Sequence, residues 1–279
     1  MPSAVAIATY AVDQSLTGRG SDPAWLKSHF SVIADTAMLA AQERYLDAQR
    51  HAAKAAFFNV LVPMVGERAT ADEFVGILAD NFHSLDKFFV SLGQTRHPHI
   101  VKTFELLVCK LIATAYAGAA QAVLVGQPDF IMPTVEHFRR TPADCMVVSV
   151  KRSVRDRWRQ IVSDGTQPQA FYVATLDEEV SKVELFEMEA SHFHLVVTDR
   201  VKNGRHDYRA AANVITFEEL CAQHLDPCVA RWRGAGLVRT QEIRGGSTPE
   251  KLPPGFGPAT RSGRRITGQL RQPSLFEDR

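Results

Sequence analysis

The chain is 279 residues long, 45% hydrophobic and 23% charged, with a formal net charge of +1. That composition supplies a substantial interior for one large domain, or for a catalytic core with a smaller helical region, and it excludes a largely disordered chain. With so little net charge no whole-protein attraction to a polyanion is expected, so any binding to nucleic acid has to come from local basic clusters. Cysteines at 109, 145, 221 and 228 are too sparse for a disulfide framework, which points to a reduced, cytoplasmic setting. The opening MPSAVAIATYAVDQ has no basic region ahead of its apolar residues and reaches Asp13 early, so it is not expected to act as a secretory leader. No apolar run is long enough to span a bilayer, and no membrane partner is expected.

Residues 24–62 read as one amphipathic helix ending by Pro63, with apolar positions at Ile33, Ala37, Ala40 and Ala41. Thr70-Ala-Asp-Glu73 is a capping box that opens another helix, whose apolar face carries Phe74, Ile77 and Leu78. This N-terminal region, 1–92, is expected to be helical scaffold packed on the core, or else to help recognise DNA or dimerise. Residues 93–113 form a further helix, with Pro98 near its first turn and Leu106, Leu107 and Leu111 at helical spacing. Glu105 lies between Phe104 and Leu106 there, and on residue types alone it faces either solvent or a site.

The chemistry concentrates between Pro128 and Asp164. Phe130-Ile131-Met132, closed by Pro133, and Met146-Val147-Val148-Ser149-Val150 are strand signals. Asp129 enters the first and Lys151 leaves the second, so adjacent strands would bring both to one point. Arg152, Arg155, Arg157 and Arg159, with Asp156 among them, then open a helix more basic than the helix dipole favours, and an anion would compensate. Phosphodiester hydrolysis by a hard divalent cation explains these types. Asp129 and the Val150 carbonyl would supply oxygen ligands, Lys151 would steer the attacking water or stabilise developing charge, and Asp164 would hold the metal or its water.

PDFIMP followed by VSVKRSVRDRWRQIVSD resembles the catalytic core of type II restriction endonucleases of the EcoRII, PspGI and SsoII group, a branch of the PD-(D/E)XK nucleases. Arg155-Asp156-Arg157-Trp158-Arg159-Gln160 fits the helical part of that motif closely. In the group the second acid has moved along the helix, and Ser149 stands in its vacated place; Asp164 falls where the group has Glu, one methylene longer. The resemblance implies that Arg155 and Arg157 donate to guanine and that Asp156 accepts from a cytosine amino group. It further implies that Glu105 approaches the active site, and that Arg96, His99, Lys102, Arg152 and Arg159 contact DNA. His99 stands where an arginine is common, and Val101 replaces a glycine.

The fold so implied is α/β: a PD-(D/E)XK restriction-endonuclease-like core, a mixed β-sheet flanked by helices, with an added helical N-terminal region. Gln169–Leu176 reads as a strand, Asp177–Glu189 as an acidic helix and His194–Asp199 as another strand, which continues the αβ alternation. The pair His192 and His194 is explained by strand alternation. Cys221, His224 and Cys228 lack the fourth ligand a zinc site needs. Lys202-Asn203-Gly204-Arg205 reads as a basic turn that could touch phosphate, and Thr216-Phe-Glu-Glu219 caps a last helix carrying Leu220, Leu225 and Val229. The core is placed at 93–243. From 244 to 279 the chain turns Gly-, Pro- and Arg-rich and cannot build a core, so it is a mobile tail or an arm that orders on DNA. Its Gln272-Pro-Ser-Leu-Phe276 resembles the peptide by which bacterial proteins bind the replication sliding clamp.

The expected activity is Mg²⁺-dependent cleavage of double-stranded DNA at a palindrome containing CC and GG, leaving 5′ overhangs. The spacing from Lys151 to Asp164 matches readers of interrupted CCNGG or CCWGG sites better than readers of CCGG. A palindrome implies a homodimer. A DNA-binding protein that has lost cleavage, or a repair nuclease on the same core, are the competing classes.

Overall fold

The computed structural model describes residues 2–65, 70–94, 96–125, 127–151, 154 and 170–238. Residues 1–241 form one compact unit and 242–279 a second, and the latter lies outside the described residues. Residues 92 and 93 lie within one helix, Phe82–Gln94, of a helical layer.

That layer consists of α1 (Ala4–Ser15), α2 (Pro23–Val65), α3 (Ala71–Asp80), α4 (Phe82–Gln94) and α5 (Arg96–Ala115). Ser3 caps α1, and Asp22 accepts from the Ala24 and Trp25 amides at the start of α2. Ala8 and Ala11 of α1 and Ala34, Ala37 and Ala41 of α2 are completely buried, which lets the helix backbones approach closely. The capping box at Thr70 is formed as expected, with Thr70 and Glu73 bonding reciprocally.

A six-stranded sheet follows, in the order β1 (Gln121–Val125), β2 (Gln127–Met132), β3 (Met146–Val150), β4 (Ala170–Ala174), β5 (Phe193–Val197) and β6 (Val214–Thr216). The first three strands run antiparallel and the last four parallel, with β3 belonging to both sets. The mixed sheet flanked by helices agrees with expectation, while β1 and β6 extend it beyond the strands read from sequence.

Val147, Phe171, Val173, Phe193, Leu195, Val197 and Val214 share one face of the sheet, in a core cluster with residues of α7 (Lys182–Ala190), α8 (Asp199–Gly204) and α9 (His206–Ala210). On the opposite face Tyr172 and His194 stack at 5.0 Å, and the Tyr172 hydroxyl lies 3.0 Å from His224 Nδ1. His224 belongs to a continuous helical run in which α10 (Phe217–Glu219) passes through a π-helical stretch, Leu220–Leu225, into α11 (Asp226–Gly234). The capping box at Thr216 and Glu219 opens this run, as expected. Trp232, fully buried, closes it by donating to the Asp144 carbonyl at 3.1 Å, beyond the short α6 (Val135–Arg140).

The helical layer is fastened to the sheet by polar side chains as well as by packing. Phe30 of α2 and Phe104 of α5 both meet Phe217, at 4.3 and 5.8 Å between ring centroids. Ser31 gives its amide and its hydroxyl to the Glu218 carboxylate, at 2.8 and 2.7 Å, and accepts the Asp199 amide. Lys27 pairs with Asp226 at 2.8 Å, and Asp226 also accepts from the Tyr116 hydroxyl.

Two local readings are corrected. Residues 177–181 are not helical: the Asp177 carboxylate accepts the Glu179 amide, and the Val180 amide bonds the Tyr208 hydroxyl, so the helix begins at Lys182 behind a Ser181 capping box. Lys202 lies in α8 rather than in a turn, and its ammonium is committed to Glu219 at 2.7 Å instead of being offered to phosphate.

Burial, with His224 and His192 nearby, pulls the His194 pKa from 6.5 down to about 4, and among the described residues its Nδ1 has no hydrogen-bond partner. Folding therefore holds this ring neutral. The unfolded chain takes up the proton first, so stability is intact above pH 6.5 and falls progressively toward about 4. His194→Phe is expected to flatten this part of the stability profile, by at most about 3 kcal/mol, in urea melts compared across that window.

Candidate active site

Strand pairing places the backbones of Asp129, Ser149 and Lys151 on neighbouring strands. In the antiparallel β2–β3 pair Asp129 is the direct register partner of Ser149, and Lys151 follows one residue beyond the end of β3. The Lys151 amide donates to the Ala174 carbonyl at 3.0 Å, extending the β3–β4 ladder by a rung, so the backbone bearing this lysine is held where the strand ends. Ser149 and Val150 are buried and Lys151 is half-buried. Ser149 lies beside Val173 of β4 and Asp129 of β2, in the middle of three strands.

Three residues after Lys151 the chain is anchored again. The Val154 side chain is buried in the same core cluster as Val147 and Val173, and its amide donates to Asp177 Oδ2 at 3.1 Å. The other Asp177 oxygen accepts from Glu179, and the Asp177 amide donates to the Thr175 hydroxyl. The loop leaving β4 thus fixes the segment leaving β3. No motif in the sequence marks Asp177 for this role, since its significance depends on a strand neighbour over twenty positions away.

The expected residues on α5 are placed in the helical layer. Glu105 has a largely buried side chain and pairs with Lys102 at 3.1 Å, one helical turn away. His99 is only 6% exposed, with its ring 4.6 Å from Tyr45 of α2, its pKa lowered by burial and its Nδ1 without a partner among the described residues. It faces the α2–α5 interface rather than solvent. Arg96 lies in the first turn of α5. Arg152, Arg155, Asp156, Arg157, Arg159 and Asp164 lie outside the described residues.

Among the described residues no three His, Cys, Asp or Glu side chains gather as a metal site. Cys221 and Cys228 are buried free thiols with pKa values raised by burial, Cys221 to about 11, and His224 is engaged with Tyr172. The 221–228 cluster therefore serves the core.

Residues 64–221 match the family model described as EcoRII C terminal. The chain belongs to this family. Among curated relatives it is 30% identical over 131 residues to the type II restriction enzyme EcoRII of Escherichia coli, a match covering 43% of this chain and 32% of that protein. It is 27% identical over 94 residues to the type II restriction enzyme SsoII of Shigella sonnei, covering 33% of this chain and 30% of that protein. The match thus spans about a third of each relative's length. Among solved structures, metal-depleted Ecl18kI in complex with uncleaved, modified DNA aligns with a TM-score of 0.65 at 18% identity, over 83% of this chain and 80% of that one. The PspGI–substrate DNA complex aligns with a TM-score of 0.53 at 16% identity, over 83% of this chain and 94% of that one. The fold is that of the PD-(D/E)XK restriction endonucleases. Among the described residues no helix is long and apolar enough to cross a membrane.

Asp177→Ala leaves the Val154 and Glu179 amides without their acceptor. It is expected to cost about 1–3 kcal/mol in urea denaturation, while Asp177→Asn, which retains an acceptor oxygen, keeps most of that stability.

Proposed function

We propose that this chain is a type II restriction endonuclease that hydrolyses double-stranded DNA in the presence of Mg²⁺, working in the cytoplasm as a homodimer. The observation carrying this reading is the register of Asp129 on Ser149, immediately before the strand exit at Lys151, in a chain that belongs to the EcoRII C-terminal family. Relatives named as type II restriction enzymes, and fold neighbours captured with DNA, support it. The four cysteines, all free and buried, fit a reducing compartment.

In this reading Asp129, Asp164 and the Val150 carbonyl hold the cation. When bound, it would neutralise phosphate charge and lower the pKa of a water. Lys151, its backbone fixed by Ala174, supplies positive charge to the oxygens on which negative charge develops. Ser149 fills the strand position between the acid and the lysine. Glu105, steadied by Lys102, is an auxiliary carboxylate on α5. Arg155, Asp156 and Arg157 read a palindrome containing CC and GG, of the interrupted CCNGG or CCWGG type, with cleavage before CC leaving 5′ overhangs. Arg96, Lys102, Arg152 and Arg159 contact the DNA backbone. His99, enclosed between α2 and α5, is dropped from that set.

The direct test is digestion of a sequenced plasmid with and without Mg²⁺, followed by sequencing of the ends. Discrete fragments sharing a CC/GG palindrome are expected in the presence of the metal. DNA that is retained but never cut would favour a lapsed, binding-only protein. Asp129→Ala is expected to abolish cleavage while leaving site-specific retention in a gel-shift assay; residual cutting would remove Asp129 from the centre. Arg157→Ala should lose about 1–3 kcal/mol of discrimination between the site and a single-base variant. An equal loss on both sequences would instead assign Arg157 to phosphate.

A further inference from the structure

The exit from β4 is bonded more heavily than a connecting loop requires. Thr175, fully buried, continues the β4–β5 ladder by donating its amide to the Val196 carbonyl at 3.0 Å. Its hydroxyl accepts the Asp177 amide at 3.0 Å, and the Asp177 carbonyl accepts from the hydroxyl of Tyr208, a fully buried ring of α9, at 2.9 Å. The Asp177 backbone is thus held from two sides. Its carboxylate divides its oxygens: Oδ1 takes the Glu179 amide of its own loop at 2.9 Å, and Oδ2 takes the Val154 amide, from the segment leaving β3, at 3.1 Å. A single side-chain oxygen would close the loop, as in any turn that an Asp or Ser initiates. The second oxygen reaches across to another segment. With the Lys151 amide on the Ala174 carbonyl, two donors three residues apart meet two acceptors three residues apart.

We propose that Asp177 is a positioning residue for base recognition: by holding the Val154 amide it sets the direction in which the chain enters Arg155-Asp156-Arg157, and with it the sequence discrimination. The proposal rests on the endonuclease reading, in which these three residues, outside the described ones, touch base edges. Arg155 follows Val154 directly. The Val154 side chain is buried in the core cluster and its amide is bonded to Asp177, so two directions are fixed at one α-carbon, which orients the peptide that follows. Base contacts demand that orientation, since a productive constellation tolerates only about 10–20° of misalignment. The charge fits as well. An acid at the start of the helix expected here complements the helix dipole, which the arginines do not.

Gel-shift titrations of the full chain test this, with a duplex carrying the CC/GG palindrome and the same duplex with one G·C pair replaced. Asp177→Ala is expected to narrow the ratio of the two affinities about tenfold, the worth of one bidentate contact, while affinity for the altered duplex stays as in the wild type. Asp177→Ser guards against misfolding. Its hydroxyl still accepts the Glu179 amide and closes the loop but cannot also reach Val154, so the ratio should narrow in the same way. Thr70→Ala, which removes the cap of α3, should leave the ratio unchanged. A wild type that binds both duplexes alike, an Asp177→Ser with the wild-type ratio, or an equal loss on both duplexes would overturn the proposal. So would slower cleavage with an intact binding ratio, which would make Asp177 a support for Lys151 alone. Cleavage with Mg²⁺ by the same preparations separates the two readings. A wild type that discriminates but never cuts would sink the endonuclease reading and leave Asp177 its role, whereas a wild type that cuts, beside an Asp177→Ser that discriminates equally well, would do the reverse.

Discussion

The placement of the candidate centre depends on one constraint, the register of β3 between its two neighbours. Side chains alternate along a strand, so a slip of one residue would exchange Ser149 for a valine and carry Lys151 to the other face. The core prevents the slip. Val147, two residues before Ser149, is locked into the cluster of Phe171, Val173 and Leu195, and Val154 rejoins that cluster three residues after Lys151. The polar positions are thus bracketed by apolar ones whose burial sets their geometry. Because β3 is buried on both faces, a slip would still bury valines, so the register is pinned by the bond of the Lys151 amide to the Ala174 carbonyl and by the burial of Val154 beyond it.

The same economy governs the N-terminal helices. They are joined to the sheet by bonds at the ends of strands, with Ser31 reaching Glu218 and Asp199 and Lys27 reaching Asp226. These contacts hold α2 beside the elements that follow β5 and β6, and α5 is pressed between α2 and Phe217 through Phe104. Glu105 is held at a defined place because its helix is wedged among apolar rings, not because of the pair it makes with Lys102. A partly exposed ion pair of that kind contributes little on its own.

How much of this was legible in the sequence differs by element. Met146–Val150 could be read because a continuous β-branched run suits a strand buried on both faces, and the Thr70 and Thr216 capping boxes because they are local. The short β6, with three residues, falls below any periodic signal, and β1 is hidden in sequence by the Ala- and Gly-rich segment before it. Asp177 misled because an acidic run resembles a helix start; here it caps other segments and postpones the helix to Lys182. His99 was assigned to DNA by analogy with a basic position, yet nothing local reveals that Tyr45, far back in α2, covers its ring. The base-reading assignments of Arg155 and Arg157 came wholly from resemblance. Net charge gave no hint of them.

The π-helical stretch at Leu220–Leu225 has an implication for how this chain can vary. A π turn accommodates one residue more than the α-helical path, and here that surplus lets His224 reach Tyr172 while Asp226, two positions on, reaches Lys27 and Tyr116. Losing one residue within the stretch would restore a regular helix and keep Trp232 in phase with the Asp144 carbonyl, whereas losing one in the regular helix beside it would turn everything beyond by about 100°. Substitutions here are graded by size and polarity, whereas deletions act on phase wherever no π turn absorbs them. Through this part of the chain it is the count of residues, as much as their identity, that descendants must inherit.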